Sequence, residues 1–112
     1  MKIEDVYNEY DRMFASSNMP FIRCNTCAKA YYYPRTVCPF CGSSSIEIIK
    51  SSGTGEIYSC TEFNGGFYGI IKFKEGFGAY MDIEGNNIVT GRNIIIKFRE
   101  ISGKILPYAF VD

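Results

Sequence analysis

Five cysteines stand in this chain of 112 residues, and four of them are paired as Cys24-Asn25-Thr26-Cys27 and Cys38-Pro39-Phe40-Cys41. Each C-x-x-C pair places two thiolates on one tight turn, and two such turns facing each other make a tetrahedral ligand set. Cys24, Cys27, Cys38 and Cys41 are therefore the candidate ligands of one structural zinc. Gly42 follows the second pair and lets that turn fold back, so that backbone N–H groups point at sulfur. Four thiolates close the coordination shell, whereas a catalytic zinc keeps a position open for water. The metal then staples a segment too small to hold a core of its own. Iron sits in very similar knuckles, which leaves an iron-loaded electron-transfer site as an alternative. The N-terminus, MKIEDVYNEYDR, is too acidic for a secretory signal, so a disulfide framework is the weaker reading of the cysteines. The fifth, Cys60, is expected as a small buried hydrophobe in a strand: Glu62, its near neighbour, has the wrong sign to favour a thiolate.

The chain has no histidine and no tryptophan. Without histidine there is no Ser-His-Asp triad, no Cys-His nucleophile pair and no imidazole general base. An independent enzyme is not expected. Hydrophobic residues make up 46% of the chain, enough for a packed core. No apolar run approaches the roughly 20 residues that span a bilayer, and the expected setting is soluble and cytoplasmic.

The elements that must carry the cysteines follow from periodicity. Ile3, Val6, Tyr7, Tyr10, Met13 and Phe14 recur at helical spacing, predicting an amphipathic helix over about residues 2–16. It either packs on its own domain or docks on a partner. Residues 21–49 hold the cysteine segment and end in a short strand at Ile46, Ile48 and Ile49. The run Ser51-Ser52-Gly53-Thr54-Gly55 has linker composition. Beyond it, strands are expected at 56–63, 67–74, 77–84, 93–101 and 104–111, broken by turn residues such as Asn64-Gly65-Gly66. Alternation such as Ile94, Ile96 and Phe98 against Lys97 and Arg99 marks a sheet with one buried face. Five short strands suit a small closed barrel, of OB or SH3-like type. The fold class is mainly β, with an N-terminal helix (1–20), a zinc ribbon (21–51) and a barrel (52–112).

The zero net charge is unevenly spread. Residues 1–20 sum to −2, residues 21–45 carry Arg23, Lys29 and Arg35 with no acid, and residues 52–112 sum to −1. A four-thiolate zinc centre itself carries −2, so part of the ribbon's positive charge neutralises the metal site. The tyrosines of Tyr31-Tyr32-Tyr33 are either packed hairpin residues or a stacking surface beside those cations. On the barrel, Lys72, Lys74, Lys97 and Arg99 are a solvated outer face or a local basic patch.

The run Tyr33-Pro34-Arg35-x-x-Cys38-Pro39-x-Cys41-Gly42-Ser43, followed by Ser52-Gly53-x-Gly55-x-Ile57-Tyr58-Ser59-x-Thr61, resembles the zinc-ribbon/OB-fold acyl-CoA-associated family known as domain-of-unknown-function family thirty-five. The resemblance implies a rubredoxin-like zinc ribbon followed by a five-stranded OB-type barrel. It also implies a non-catalytic partner of thiolase-fold enzymes. Some members are similar to the archaeal scaffold that joins acetoacetyl-CoA thiolase to hydroxymethylglutaryl-CoA synthase at the entry to the mevalonate pathway. Helix and ribbon would then hold the partners, and the space between ribbon and barrel would face an acyl-CoA. Arg23, Lys29 and Arg35 are the candidate contacts to its phosphates. This chain departs from fuller members in its single short N-terminal helix. The competing reading is a single-stranded nucleic-acid binder built from the same two modules; the neutral net charge speaks against it.

Overall fold

In a computed structural model covering residues 1–112, helix α1 spans Ile3–Ala15. Its start is held by the Asp5 carboxylate, which accepts the backbone N–H of Lys2 at 3.2 Å. At its end Ser17 takes a left-handed φ of 57°. The N–H groups of Ser17 and Asn18 then return to the carbonyls of Phe14 and Met13 at 2.9 and 2.8 Å, closing a Schellman motif without glycine. The buried stripe of the helix is Val6, Tyr10 and Met13.

That stripe lies on a three-stranded antiparallel sheet made of β1 (Pro20–Cys24), β2 (Ala30–Tyr31) and β3 (Ile46–Lys50), in the order β2-β1-β3. Side chains alternate across β1, and both faces are covered. Ile22 joins Val6, Tyr10 and Tyr31 under the helix. Phe21, one residue earlier, joins the core of the barrel. The helix therefore packs on its own chain, as one of the two sequence readings required.

The barrel comprises β4 (Thr54–Phe63), β5 (Gly66–Phe73), β6 (Gly78–Gly85), β7 (Asn93–Ile101) and β8 (Lys104–Val111), within a few residues of the strands expected from alternation. It closes in the order β4-β5-β6-β8-β7, with β7 pairing back to β4. All pairs are antiparallel except β6 with β8. Insertion of the fifth strand between the third and fourth is the OB arrangement, which settles the choice between OB and SH3-like barrels. The parallel seam is tight: Gly85 has a φ of +124°, and a Cβ there would lie 1.9 Å from the Val111 carbonyl oxygen. Only glycine fits that crossing.

One apolar core serves ribbon and barrel together. Met19 and Phe21 pack with Ile57, Ile71, Phe73, Phe77, Met81, Ile83, Ile94 and Val111. No helix of the structure is long and apolar enough to cross a membrane.

Of the run 51–55 with linker composition, Thr54 and Gly55 already belong to β4, and residues 51–53 are tied down at both sides. The Ser51 N–H reaches the Met19 carbonyl at 2.8 Å, and the Gly53 carbonyl accepts the Ile96 N–H at 2.7 Å. The Glu75 carboxylate, in the turn between β5 and β6, accepts the Ser51 hydroxyl at 2.8 Å and the Ser52 N–H at 2.7 Å. Burial works to raise the Glu75 carboxyl, but these hydrogen bonds outweigh it and hold the group below the usual carboxylate range. A carboxylate depressed by folding stabilises above its unfolded pKa of about 4.3 and loses that contribution as the pH falls through its folded value. Replacing Glu75 by Gln is expected to cost about 1 kcal/mol at pH 7, since the site is largely solvent-screened. The difference from wild type should shrink towards pH 3, as thermal melts across that range will read.

Candidate metal centre and the cleft beside it

The two cysteine knuckles have the same backbone plan. In the first, the Cys24 N–H donates to the Lys29 carbonyl at 3.0 Å, and the Ala28 N–H donates to the Cys24 carbonyl at 2.9 Å. In the second, the Cys38 N–H donates to the Ser43 carbonyl at 2.8 Å, and the Gly42 N–H to the Cys38 carbonyl at 2.9 Å. Each turn needs a left-handed residue after its second cysteine: Gly42 at φ 77° in one, Ala28 at φ 63° in the other. Amides point at sulfur in both, from Cys27 to Cys24 Sγ at 3.5 Å and from Phe40 to Cys38 Sγ at 3.4 Å. The knuckles are laced together by Thr26 with Ser43 (2.8 Å between hydroxyls) and by the Asn25 N–H to the Ser45 carbonyl (2.9 Å).

The structure thereby brings all four sulfurs within 4.8 Å of one another. Cys24 Sγ lies 3.5 Å from Cys41 Sγ, and Cys27 Sγ lies 3.6 Å from Cys38 Sγ. A disulfide is about 2.05 Å long. A tetrahedron with Zn–S bonds of about 2.3 Å has edges of about 3.8 Å. The spacing fits a metal ligand set and no disulfide. Cys24 and Cys38 are buried while Cys41 is exposed. The Cys27 amide, with weaker help from Thr26, Cys41 and Cys27 sulfur, brings the Cys24 thiol down to about 6 against the opposing effect of burial. At Cys41 the Ser43 amide lowers the thiol, but the sulfurs of Cys24, Cys27 and Cys38, together with burial, push it up to about 12. Four adjacent thiols do not all ionise unaided; a dication among them supplies the missing positive charge. The donor set fits one structural zinc, which Cys24, Cys27, Cys38 and Cys41 would hold as a closed cross-link between the knuckles.

The three cations of residues 21–45 have aromatic neighbours. The Arg23 guanidinium is 5.6 Å from the Phe21 ring centroid, and the Lys29 ammonium is 4.9 Å from that of Phe40. Arg35 lines a cleft of about 360 Å³ between ribbon and barrel, with Ala30, Tyr32, Tyr33, Phe40 and Phe77. Neither Arg23, which pairs with Ala30 across the sheet, nor Lys29 is among the residues that line this cleft, so of the three predicted phosphate contacts the fold brings only Arg35 into it.

The three tyrosines divide the two roles left open for them. Tyr31 is buried under the helix. Tyr32 lies between Tyr10 and Phe77, and burial pushes its phenol up to about 12. Tyr33 is 57% exposed at the cleft. Cys60 is half-buried against the barrel core, in keeping with a packing role. On the outer barrel Arg99 is ion-paired with both Asp82 and Glu84, so it adds no free positive charge.

Two residues important to the cleft are not visible as such from sequence. Phe77 stacks on Phe73 (4.3 Å), on Phe21 (4.8 Å) and, at longer range, on Tyr32 (6.1 Å). Glu75 fixes the chain joining ribbon to barrel. Both sit in the turn after β5. The sequence expectation put the break at Glu75-Gly76 and began a strand at Phe77; in the structure that strand begins at Gly78, because Phe77 turns its ring into the shared core.

Residues 21–47 match the family model described as "ChsH2, rubredoxin-like zinc ribbon domain". Among solved structures, a chain of an Ltp2–ChsH2(DUF35) aldolase is similar, with a TM-score of 0.80 at 19% identity over 93% of this chain and 92% of that one. A DUF35-family protein of unknown function from Sulfolobus solfataricus is similar with a TM-score of 0.71 at 16% identity, over 94% of this chain and 84% of that one. At such identities the likeness establishes a common fold.

Two outcomes are expected of the centre. Chelation of the metal, or replacement of Cys38 by Ser, should lower the melting temperature and remove one equivalent of zinc by elemental analysis, because the ribbon has little other core. Ala28→Gly should stabilise the metal-loaded protein by about 0.5–1 kcal/mol, and Gly42→Ala should destabilise it by about 1 kcal/mol, because the left-handed turn penalises any Cβ. Nothing lies within 4 Å of a Cβ at Gly42, so only the backbone term acts there, and chemical denaturation will read it. The matched ribbon, its clustered thiols and the fold of the whole chain give this protein a rubredoxin-like zinc ribbon within the fold that the DUF35 structures share.

Proposed function

We propose that this chain is a non-catalytic accessory subunit that binds thiolase-fold enzymes and helps hold or channel acyl-CoA between them. Acetoacetyl-CoA thiolase and hydroxymethylglutaryl-CoA synthase, or a similar pair, are the partners in this reading, and the cytoplasm is its setting. The observation that carries it is the cleft between ribbon and barrel, walled by aromatic rings and lined by Arg35, with Lys29 over the ring of Phe40 in its wall. A CoA phosphate is recognised by fixed cations, and an adenine ring by an aromatic wall. Support also comes from the Ltp2–ChsH2(DUF35) aldolase, named as a complex of two components.

In this proposal Cys24, Cys27, Cys38 and Cys41 ligate the zinc and take no part in bond making, since four thiolates leave no position for substrate. The segments 1–20, 21–51 and 52–112 act as helix, ribbon and barrel of one assembly. The contribution to rate is proximity: holding two active sites together raises the effective concentration of the first product at the second enzyme. Acetoacetyl-CoA formation is uphill, so immediate consumption draws it forward.

Pull-down of the tagged protein from its own cells, with mass spectrometry, tests the partners. Recovery of a thiolase-fold pair at comparable amounts is the expected result; recovery of nucleic acid or ribosomal material in its place overturns the reading. For the cleft, replacing Arg23, Lys29 and Arg35 together by Ala is expected to weaken CoA binding to the assembled complex by at least tenfold, because three charge-assisted contacts are removed. Unchanged affinity in a titration of that complex would dismiss these three residues as phosphate contacts.

A further inference from the structure

The second cysteine knuckle belongs to two structures at once. Cys38 and Cys41 are members of the sulfur cluster, and Pro39 and Phe40, which stand between them, line the ribbon–barrel cleft together with Arg35. Phe40 joins the two directly. Its N–H donates to Cys38 Sγ at 3.4 Å, and its ring lies 4.9 Å from the Lys29 ammonium. At the start of the same loop the buried Tyr31 donates its hydroxyl to the Arg35 carbonyl at 3.2 Å. One end of the cleft-lining loop is therefore anchored under the helix, and the other is anchored on the metal ligands.

Those ligands are unequally sheltered. Cys24 and Cys38 are buried, Cys27 is half-buried and Cys41 is exposed. Beside Cys41 the space is open, since a Cβ on Gly42 would have nothing within 4 Å. A thiolate attacks a peroxide, and access decides which thiolate does so. Cys41 is thus the ligand that a dissolved oxidant meets. The sulfur placed to resolve it lies on the other knuckle: Cys24 Sγ is 3.5 Å away and buried. Cys27 and Cys38 repeat the crossing at 3.6 Å. A C-x-x-C redox motif pairs the two cysteines of one turn; here the short contacts run between turns. The fifth cysteine, Cys60, lies on β4 outside the cluster.

We propose that the centre is a peroxide-sensitive switch on the cleft, in which Cys41 and Cys24 close a disulfide between the knuckles, the zinc is released and the Pro39–Phe40 wall shifts. In the first step the Cys41 thiolate attacks one oxygen of hydrogen peroxide; the O–O bond breaks, a sulfenic acid forms and hydroxide leaves. In the second the Cys24 thiolate attacks the Cys41 sulfur; the S–O bond breaks, the S–S bond forms and a second hydroxide leaves. Two protons convert the hydroxides to water. The two sulfurs together give up two electrons, and the peroxide takes them. With two of four ligands gone, the metal is no longer held. Closing the pair to bonding distance draws Cys41 towards Cys24, and Phe40, its neighbour in the chain, moves with it. The inference rests on the acyl-CoA reading for the cleft's ligand, whereas the oxidation chemistry rests on the cysteines alone.

The test uses the full-length zinc-loaded protein treated with hydrogen peroxide. Free zinc is read with a colorimetric chelator, disulfides by mass spectrometry after thiol alkylation, and the loop by amide hydrogen exchange of residues 33–41. Release of one equivalent of zinc, with Cys24–Cys41 as the first disulfide, is the expected result. Exchange at 33–41 should quicken by about tenfold or more, and dithiothreitol with added zinc should reverse all three changes. A Cys60→Ser variant should respond as wild type does; a variant that no longer responds overturns Cys41 as the point of attack. Zinc retained under a large excess of peroxide, or a first disulfide between Cys38 and Cys41, overturns the switch. Zinc release with unchanged exchange at 33–41 overturns its hold on the cleft. CoA should bind the oxidised complex at least tenfold more weakly than the reduced one. If the reduced complex binds no CoA, the acyl-CoA reading falls by itself, and the zinc, disulfide and exchange results still decide the switch.

Discussion

The architecture depends on a single five-residue strand that is buried on both faces. In β1, Ile22 closes the small core under the helix while Phe21 enters the core of the barrel. Alternation at period two makes this possible: neighbouring residues point to opposite sides of the sheet, so one strand serves two cores. Neither small core would stand well alone. The helix has one buried stripe and the ribbon has three short strands, and both are below the size at which burial alone stabilises a domain. Joined through β1 and the stack of Phe21 on Phe77, they become part of a larger apolar cluster.

The metal centre and the hydrogen-bonded joint at Ser51 solve the remaining problem, which is irregular backbone. On either side of β2 the chain runs through turns rather than regular pairing. The knuckles answer with matched internal hydrogen bonds, hydroxyl and amide links between the two turns, and four sulfurs gathered for a cross-link. At the joint, Glu75 supplies acceptors for a hydroxyl and an amide that no strand partner takes up. In both places side-chain and backbone donors find partners without a regular ladder, as buried or constrained polar groups must.

The electrostatics follow the same division. Positive charge accumulates on the ribbon, where Arg23 and Lys29 lie over aromatic rings. On the barrel much of it is consumed internally: Arg99 spans two carboxylates and lies 4.5 Å from the Tyr108 ring centroid, while Lys97 sits 4.0 Å from that of Phe110. A count of lysines and arginines along the chain does not distinguish a free cation from one already paired. Position in the sheet does, because cross-strand neighbours come from distant parts of the chain.

Much of the fold is written locally. The helix, the strands of the barrel and the cysteine turns each depend on residues within a few positions of one another, and periodicity and spacing therefore determine them. Ligand type is also local: two C-x-x-C turns can offer only thiolates. Other features depend on contacts between segments far apart in sequence. The OB order required the parallel seam of β6 and β8, a pairing that alternation within a strand cannot specify. The aromatic stack on Phe77 and the joint at Glu75 arose from a turn whose composition signalled only a break. Tyr31, Tyr32 and Tyr33 are consecutive and chemically identical, yet only folding made one a core residue, one a bridge and one a surface. Which elements form and which atoms can bind a metal are short-range properties, legible along the chain. Which strands meet, which charges are paired and which aromatic rings are buried depend on contacts between distant segments, and only the folded chain fixes them.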